Sequence, residues 1–258
     1  MADTILFLKL GGSLITDKDT PYTPRMDVLK RLAGEIADAR KAKPGLRILL
    51  GHGSGSFGHT SADRYGTREG VHTPEGWLGF SEVWKAARAL NQIVIDVLCD
   101  AGLPVIAFPP SAIMLAHDGR PSWWEVRPLL AALYHGLLPV VNGDVVFDGI
   151  RGGTILSTED VFVALAPAIK PHAILLAGLE EGVWADYPDC KELIKEITPA
   201  NFRSISSQIK GSTSVDVTGG MFEKVQTMLE LVNQSPGLKA VVFSGLVPGN
   251  LSQALLGK

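Results

Sequence analysis

Short apolar segments alternate with longer amphipathic ones along most of the chain, and this alternation limits its fold more than any other feature. Apolar runs of strand length occupy residues 4–10, 46–51, 104–108, 138–141, 173–177 and 238–243. Between them, apolar side chains recur every three or four positions, as in amphipathic helices, at residues 25–41, 75–100, 124–135, 158–169 and 221–233. Strands that are apolar throughout and separated by helices predict an α/β fold, a three-layer αβα sandwich around a mainly parallel sheet.

Two further segments have the pattern of hairpins rather than of the main sheet. Residues 114–122 turn at His117-Asp118-Gly119, and residues 145–155 turn at Asp148-Gly149. The chain has no internal repeat and no Pro/Gly/Ser-rich linker. We therefore predict a single domain over residues 1–258, with an N-terminal lobe of about residues 1–170 and a C-terminal lobe of about 171–258.

Composition excludes several classes of protein. Hydrophobic residues make up 46% and charged residues 20% of the 258 positions, and no apolar run reaches the roughly 18 residues of a membrane span. The net charge of −3 argues against non-specific binding to nucleic acid. An acidic residue at position 3 and the lack of a basic leader argue against a signal peptide, so we predict a cytoplasmic protein.

The two cysteines do not suggest a cross-link or a metal site. Cys99 and Cys190 are far apart in sequence and have no neighbouring cysteine or histidine at zinc-ligand spacing. We predict no protein-held metal and expect both thiols to be buried.

Glycine is enriched, with 28 residues in 258, and a glycine pair directly follows the first predicted strand. Lys9 precedes Gly11, Gly12 and Ser13, and Lys18 follows shortly after. Glycines let backbone N–H groups approach an oxygen anion closely, while lysines supply charge. An ordinary strand-to-helix turn is the alternative, although a lysine inside an apolar strand argues against it.

A second glycine-rich loop, residues 51–59, follows the second strand. It satisfies G-x-G-x-x-G at Gly53, Gly55 and Gly58, a pattern found in dinucleotide-binding folds. However, residues 60–64 are too polar for the buried helix that such a site requires, and no acidic residue ends a second strand about 20 positions on. A phosphate-binding loop fits better, because Ser54, bare amides and His59 can surround an oxyanion.

Three other segments carry candidate groups. Residues 212–221 contain several hydroxyls and a glycine pair that includes Gly220, and they lead into a predicted helix with Lys224 in its first turn. Together these features favour a bound phosphate. The alternative is a turn that only caps the helix. Gly143 and Asp144 follow another strand. In the segment of residues 156–160, Asp160 either complements the helix dipole or orients lysines around a nucleotide.

Together these motifs resemble the amino acid kinase superfamily and, within it, the isopentenyl phosphate kinases. The likeness covers nearly the whole chain and rests on Lys-x-Gly-Gly-Ser at residues 9–13, the histidine-terminated loop at 51–59 and Asp-Val-Thr-Gly-Gly-Met at 216–221. Lys18 and Lys224 match the second and third phosphate-contacting lysines of the family.

The resemblance implies a carbamate kinase-like fold and ATP-dependent phosphorylation of isopentenyl phosphate to isopentenyl diphosphate, by direct in-line transfer, in an alternative mevalonate route. It also implies Mg²⁺ accompanying ATP, and a homodimer. The catalytic residues implied are Lys9, Lys18 and His59. The residues implied for ATP are Lys9, Gly11, Gly12, Ser13, Gly55, Glu181, Gly220 and Lys224. Those implied for the acceptor are Ser54, Gly55, Gly58, His59, Gly143 and Thr158, with Asp144 and Asp160 in support.

The chain departs from the family pattern at two places. Residues 178–183 read Gly-Leu-Glu-Glu-Gly-Val where related kinases commonly have Thr-Asp-Val-Asp-Gly-Val, so we expect the contacts to adenine or ribose to differ. Residues 157–159 read Ser-Thr-Glu where the family often has Ser-Gly-Asp.

Some alternatives stay open on the sequence. Phe80, Val83 and Trp84 form either a core stripe or a pocket for a prenyl tail. A kinase of a small phosphonate such as fosfomycin is the nearest rival function. A non-catalytic nucleotide sensor and an NAD-dependent oxidoreductase are alternatives from other classes.

Overall fold

A computed structural model describes the backbone of residues 4–209 and 220–258, and the side chains of these residues except 59, 60, 61, 63 and 208. The strands, in chain order, are β1 (Thr4–Leu10), β2 (Leu46–His52), β3 (Val105–Ala107), β4 (Met114–His117), β5 (Arg120–Trp124), β6 (Leu138–Asn142), β7 (Asp144–Asp148), β8 (Gly152–Leu156), β9 (Ala173–Gly178), β10 (Val183–Trp184), β11 (Leu193–Ile194) and β12 (Lys239–Ser244). The helices are α1 (Gly12–Ile15), α2 (Met26–Ala42), α3 (Gly55–Tyr65), α4 (Pro74–Asp100), α5 (Pro110–Ile113), α6 (Arg127–Tyr134), α7 (Thr158–Ile169), α8 (Pro199–Ile209), α9 (Met221–Gln234) and α10 (Asn250–Leu256).

The central sheet has six parallel strands in the order β12-β9-β1-β2-β6-β3. Alternate residues of β1 pack on opposite faces: Leu6 and Leu8 join the core formed with α2 and α4, and Phe7 joins the core formed with α7 and α9. Because both faces are covered, the strands are apolar throughout. The predicted α/β class and the mainly parallel sheet are confirmed.

The predicted hairpins form a second sheet in the order β5-β4-β7-β8. One carboxylate ties its two turns together, because Asp148 accepts backbone hydrogen bonds from Asp118, Gly119, Ile150 and Arg151 at 2.7–3.1 Å. This sheet lies against α4 and holds β8 so that the chain enters α7 beside the central sheet.

Three expectations about local structure were wrong. The helix predicted from residue 124 begins at Arg127, because Trp124 pairs with Met114 in the β4–β5 hairpin. The polar residues 60–64 do form part of a helix, α3, which buries Phe57 and Ala62. Cys99 is exposed near the end of α4, and Cys190 is only partly buried.

Among the helices that the structure describes, none is both long and apolar enough to span a membrane.

Candidate active site

A cavity of about 240 Å³ opens at the carboxyl ends of β1, β2, β6 and β9. Its walls come from both glycine-rich turns, from the starts of α7 and α9, and from β9 and β12. Ligands of open parallel sheets bind outside the carboxyl ends of the strands, so this is where a substrate site is expected. The two glycine-rich turns and the start of α9 therefore meet at one cavity.

The two glycine-rich turns touch each other backbone to backbone. A Cβ atom added to Gly12 would lie 2.5 Å from the Gly55 nitrogen, and one added to Gly53 would lie 2.8 Å from the Gly12 nitrogen. Gly55 also has a positive φ of 48°, which favours glycine. The Thr16 hydroxyl donates to the Gly12 carbonyl at 2.8 Å and accepts from the Ser56 amide at 3.0 Å. Glycine is required here because no side chain fits between the turns.

Three lysines from separate elements line the cavity: Lys9 from β1, Lys18 from the loop after α1, and Lys224 from the first turn of α9. Lys9 is only 8% exposed and forms an ion pair with Glu159, which is 5% exposed. Burial alone would raise the pKa of the Glu159 carboxyl, but Lys9 and then Lys224 bring that pKa below its ordinary value. Glu159 is thus ionised, and these four side chains keep a positive sum that favours a polyanion.

The acidic residues predicted to support the site lie outside the cavity wall. Asp160 forms a capping box with Ser157: its carboxylate accepts from the Ser157 amide at 2.8 Å and hydroxyl at 2.7 Å. Asp144 is 2% exposed and accepts from the Ser111 amide at 3.1 Å and the Val145 amide at 2.9 Å. Burial raises the pKa of Asp144 to about 6. Glu159, not Asp160, holds a lysine.

A buried histidine that the sequence did not single out joins three cavity-lining segments. The His52 carbonyl accepts from the Gly143 amide at 3.1 Å and from the Thr158 hydroxyl at 2.7 Å. Its ring nitrogens lie 3.1 Å from the Gly53 carbonyl oxygen and 3.0 Å from the Asn91 side-chain oxygen. Burial lowers the pKa of this ring, and its contacts with Gly53 and Asn91 let His52 position the loop.

The other end of the cavity is mainly apolar. Leu176 of β9, Val242 of β12 and Met228 of α9 contribute to its wall. Glu180 also lines this cavity, and its carboxylate accepts a hydrogen bond from the Trp184 indole at 3.0 Å.

Other predicted residues separate into two groups. Those that line the cavity are Gly11, Gly12, Ser13, Ser54, Gly55, Gly143 and Thr158. Three other predicted residues do not line the cavity. Gly58 lies within α3 close to Ser54, Gly220 precedes α9, and Glu181 is exposed. His59 falls within α3, but its side chain lies outside the described residues, as do residues 216–219 of the late motif.

The candidate tail residues do not line the cavity. Phe80 and Val83 are buried in a small apolar cluster with Val145, and Ile155 packs against that cluster while also lining the cavity. Trp84 is 38% exposed, and its ring faces the guanidinium of a neighbouring arginine in α4.

The amino acid kinase family matches residues 4–244 of the chain. The chain belongs to the amino acid kinase family. Two similar relatives are the isopentenyl phosphate kinases of Methanocaldococcus jannaschii, 33% identical over 98% of this chain and 96% of the relative, and of Haloferax volcanii, 34% identical over 99% and 96%.

Solved structures agree with this membership. A crystal structure of an isopentenyl phosphate kinase has a TM-score of 0.80 and 29% identity, over 98% of this chain and 97% of that one. The product complex of the Thermoplasma acidophilum isopentenyl phosphate kinase has a TM-score of 0.78 and 25% identity, over 97% and 95%. An N-acetylglutamate synthase from Neisseria gonorrhoeae, 15% identical with a TM-score of 0.67 over 99% of this chain and 57% of its own, shares the fold. The family resemblance is confirmed, and the comparisons do not favour the oxidoreductase and sensor alternatives.

Proposed function

We propose that this protein transfers the γ-phosphoryl group of ATP to isopentenyl phosphate, releasing isopentenyl diphosphate and ADP. The observation that carries the proposal is the convergence of two touching glycine turns and three lysines, drawn from separate elements, on one cavity. The isopentenyl phosphate kinases named above, similar over nearly the full length, support this choice of acceptor.

The chemistry of the acceptor explains why the cavity needs no general base. The second pKa of a phosphate monoester is about 6, so the attacking oxygen is already ionised near neutral pH. That oxygen attacks the γ-phosphorus in line with the leaving group, and the bond to the β–γ bridging oxygen breaks as ADP leaves with the electron pair. The protein must position two anions and neutralise their charge.

The lysines divide this work. We assign Lys9 and Lys18 to the transferring phosphoryl group and Lys224 to the phosphates of ATP. Glu159 holds the Lys9 ammonium in one place, so its position is set before substrates arrive. Ser54, the Gly55 amide and His59 are assigned to the acceptor phosphate.

Magnesium is expected to enter with the nucleotide. Among the described residues, no group of three or more His, Cys, Asp or Glu side chains could hold a metal ion. The ATP phosphates offer the oxygen ligands that Mg²⁺ prefers, and the ion would reduce the charge on those phosphates.

The proposal is tested by measuring ADP release with three acceptors: isopentenyl phosphate, dimethylallyl phosphate and fosfomycin. We expect turnover with isopentenyl phosphate. Preference for fosfomycin would support the phosphonate kinase, and no turnover with any of the three acceptors would refute the kinase assignment.

His59→Ala should lose turnover while retaining ATP binding. The matched control is His135→Ala, which changes an exposed histidine after α6.

The proposal also includes the homodimer that the resemblance implies, and the cytoplasmic location and two lobes that the sequence predicts. Sedimentation equilibrium measures the first directly, and the expected mass is twice the chain mass of 27.6 kDa.

A further inference from the structure

One carboxylate in the cavity has no role in the phosphoryl transfer described above. Glu180 lines the cavity with one carboxylate oxygen, Oε2, accepting the Trp184 indole N–H at 3.0 Å. A carboxylate has about four acceptor positions and repels phosphate, so this group suits a ligand part that donates hydrogen bonds. Trp184 also lines the cavity and fixes the orientation of the carboxylate.

The backbone places Glu180 close to the phosphate-binding turn. The Gly11 amide donates to the Ala177 carbonyl at 2.8 Å, and the Gly178 Cα lies 3.7 Å from where a Gly11 Cβ would stand. Glu180 is two residues further along, which is at most about 7 Å of chain. The Leu179 carbonyl between them accepts from the Ser244 hydroxyl at 2.8 Å, so this segment is fixed to the end of β12.

This location fits the sugar of a nucleotide better than its base. The ribose is the part of ATP next to the phosphates, and its 2′- and 3′-hydroxyls offer two adjacent donors to one carboxylate. The apolar surface of Leu176, Val242 and Met228 remains for the base.

We propose that Glu180, oriented by Trp184, binds the ribose hydroxyls of ATP and sets the preference for a ribonucleotide. The inference rests on the proposed function, because it takes ATP as the ligand. The family pattern had indicated Glu181, but Glu181 is exposed and lies off the cavity wall.

The test compares ATP with 2′,3′-dideoxy-ATP, using calorimetric binding without acceptor and steady-state kinetics with it. Because hydrogen bonds to a charged group are stronger than those between neutral groups, we expect Glu180→Gln to lower the affinity for ATP by about tenfold or more. The affinity for dideoxy-ATP should change by less than about twofold. The ATP KM should rise, while kcat at saturating ATP and the acceptor KM stay unchanged. Trp184→Phe keeps an aromatic side chain but removes the indole N–H, and should reproduce part of the loss.

Two variants provide comparison. Glu196→Gln removes an exposed acid from the same lobe and should bind both nucleotides like the wild type. Glu181→Gln tests the rival position, and a loss there instead of at Glu180 would overturn the inference. An equal loss of ATP and dideoxy-ATP in Glu180→Gln would also overturn it. Because binding is measured without acceptor, failure to phosphorylate isopentenyl phosphate would refute the proposed function without touching this result.

Discussion

At the scale of single residues, the Lys9–Glu159 pair is the most consequential contact in the cavity. Both side chains are almost fully buried, so the free energy cost of desolvating the two charges is offset mainly by their attraction for each other, and for Glu159 also by Lys224. The pair places an ammonium group beside the two glycine turns. The geometry of this ion pair should therefore affect the rate of phosphoryl transfer as well as the free energy of unfolding.

Glu159→Gln should reduce kcat, since the Lys9 ammonium is no longer held by a charge. A misplacement of about 1 Å at a reacting group can cost on the order of 100-fold in rate, and we expect a loss approaching that size. Steady-state kinetics with saturating ATP and acceptor measures it. Glu75→Gln, an exposed first-turn acid of α4, is the matched control. A Glu159→Gln enzyme with wild-type kcat would contradict the assigned role.

Asp144 should make stability depend on pH. Its folded pKa of about 6 lies above the unfolded value near 3.9, so the folded chain retains a proton that the unfolded chain releases. This contribution to the unfolding free energy is present below about pH 4 and is lost as pH rises through about 6, a change of about 3 kcal/mol. In urea unfolding, Asp144→Asn should gain about that much relative to the wild type between pH 4 and 7. A pH-independent difference would contradict the raised pKa.

At the scale of elements, the turn after β1 and the turn after β2 form one unit. Their parallel register places Leu10 opposite His52, so both turns begin at the same level of the sheet. The contact between Gly12 and Gly55 then leaves no room for a side chain.

Gly12→Ala should therefore separate the turns, because the new methyl meets backbone atoms that cannot rotate away. We expect an overpacking cost of about 1–3 kcal/mol in unfolding free energy, with loss of turnover. Gly34→Ala is the control: its added Cβ meets nothing within 4 Å in α2, and it should stabilise the protein by up to about 1 kcal/mol. If Gly12→Ala unfolds and turns over like the wild type, the turns are not closely packed in solution.

The elements also show what sequence can predict. The apolar runs predicted the buried parallel strands, and apolar side chains at helical spacing predicted the bounds of α7 to the residue. Helix α3 was missed because its apolar side is short, although Gly66, at a positive φ of 57°, marks its end. Trp124 was misassigned because cross-strand pairing with Met114 outweighs its helical spacing.

The candidate site was predictable in part. The glycine turns and the three lysines are local signals that follow strands or begin helices, and strand order brings them together. Whether Glu180 or Glu181 lines the cavity depends on the direction in which the chain leaves β9. The role of His52 depends on contacts with Asn91 and Thr158, which are far away in sequence. Local patterns contain neither piece of information.

At the scale of the whole molecule, the net charge is only −3, although both proposed substrates are anions. The positive charge is concentrated locally instead, because Lys9, Lys18, Lys224 and two glycine turns meet at one edge of the sheet. The remaining surface needs no basic excess.

The most direct test of this account is the identity of the product, followed by ³¹P NMR in a mixture of the protein, ATP, Mg²⁺ and isopentenyl phosphate. We predict that the monophosphate resonance of isopentenyl phosphate is replaced by two coupled diphosphate resonances as ADP accumulates in equal amount. ADP formation with inorganic phosphate and an unchanged isopentenyl phosphate resonance, or no reaction, would contradict the account.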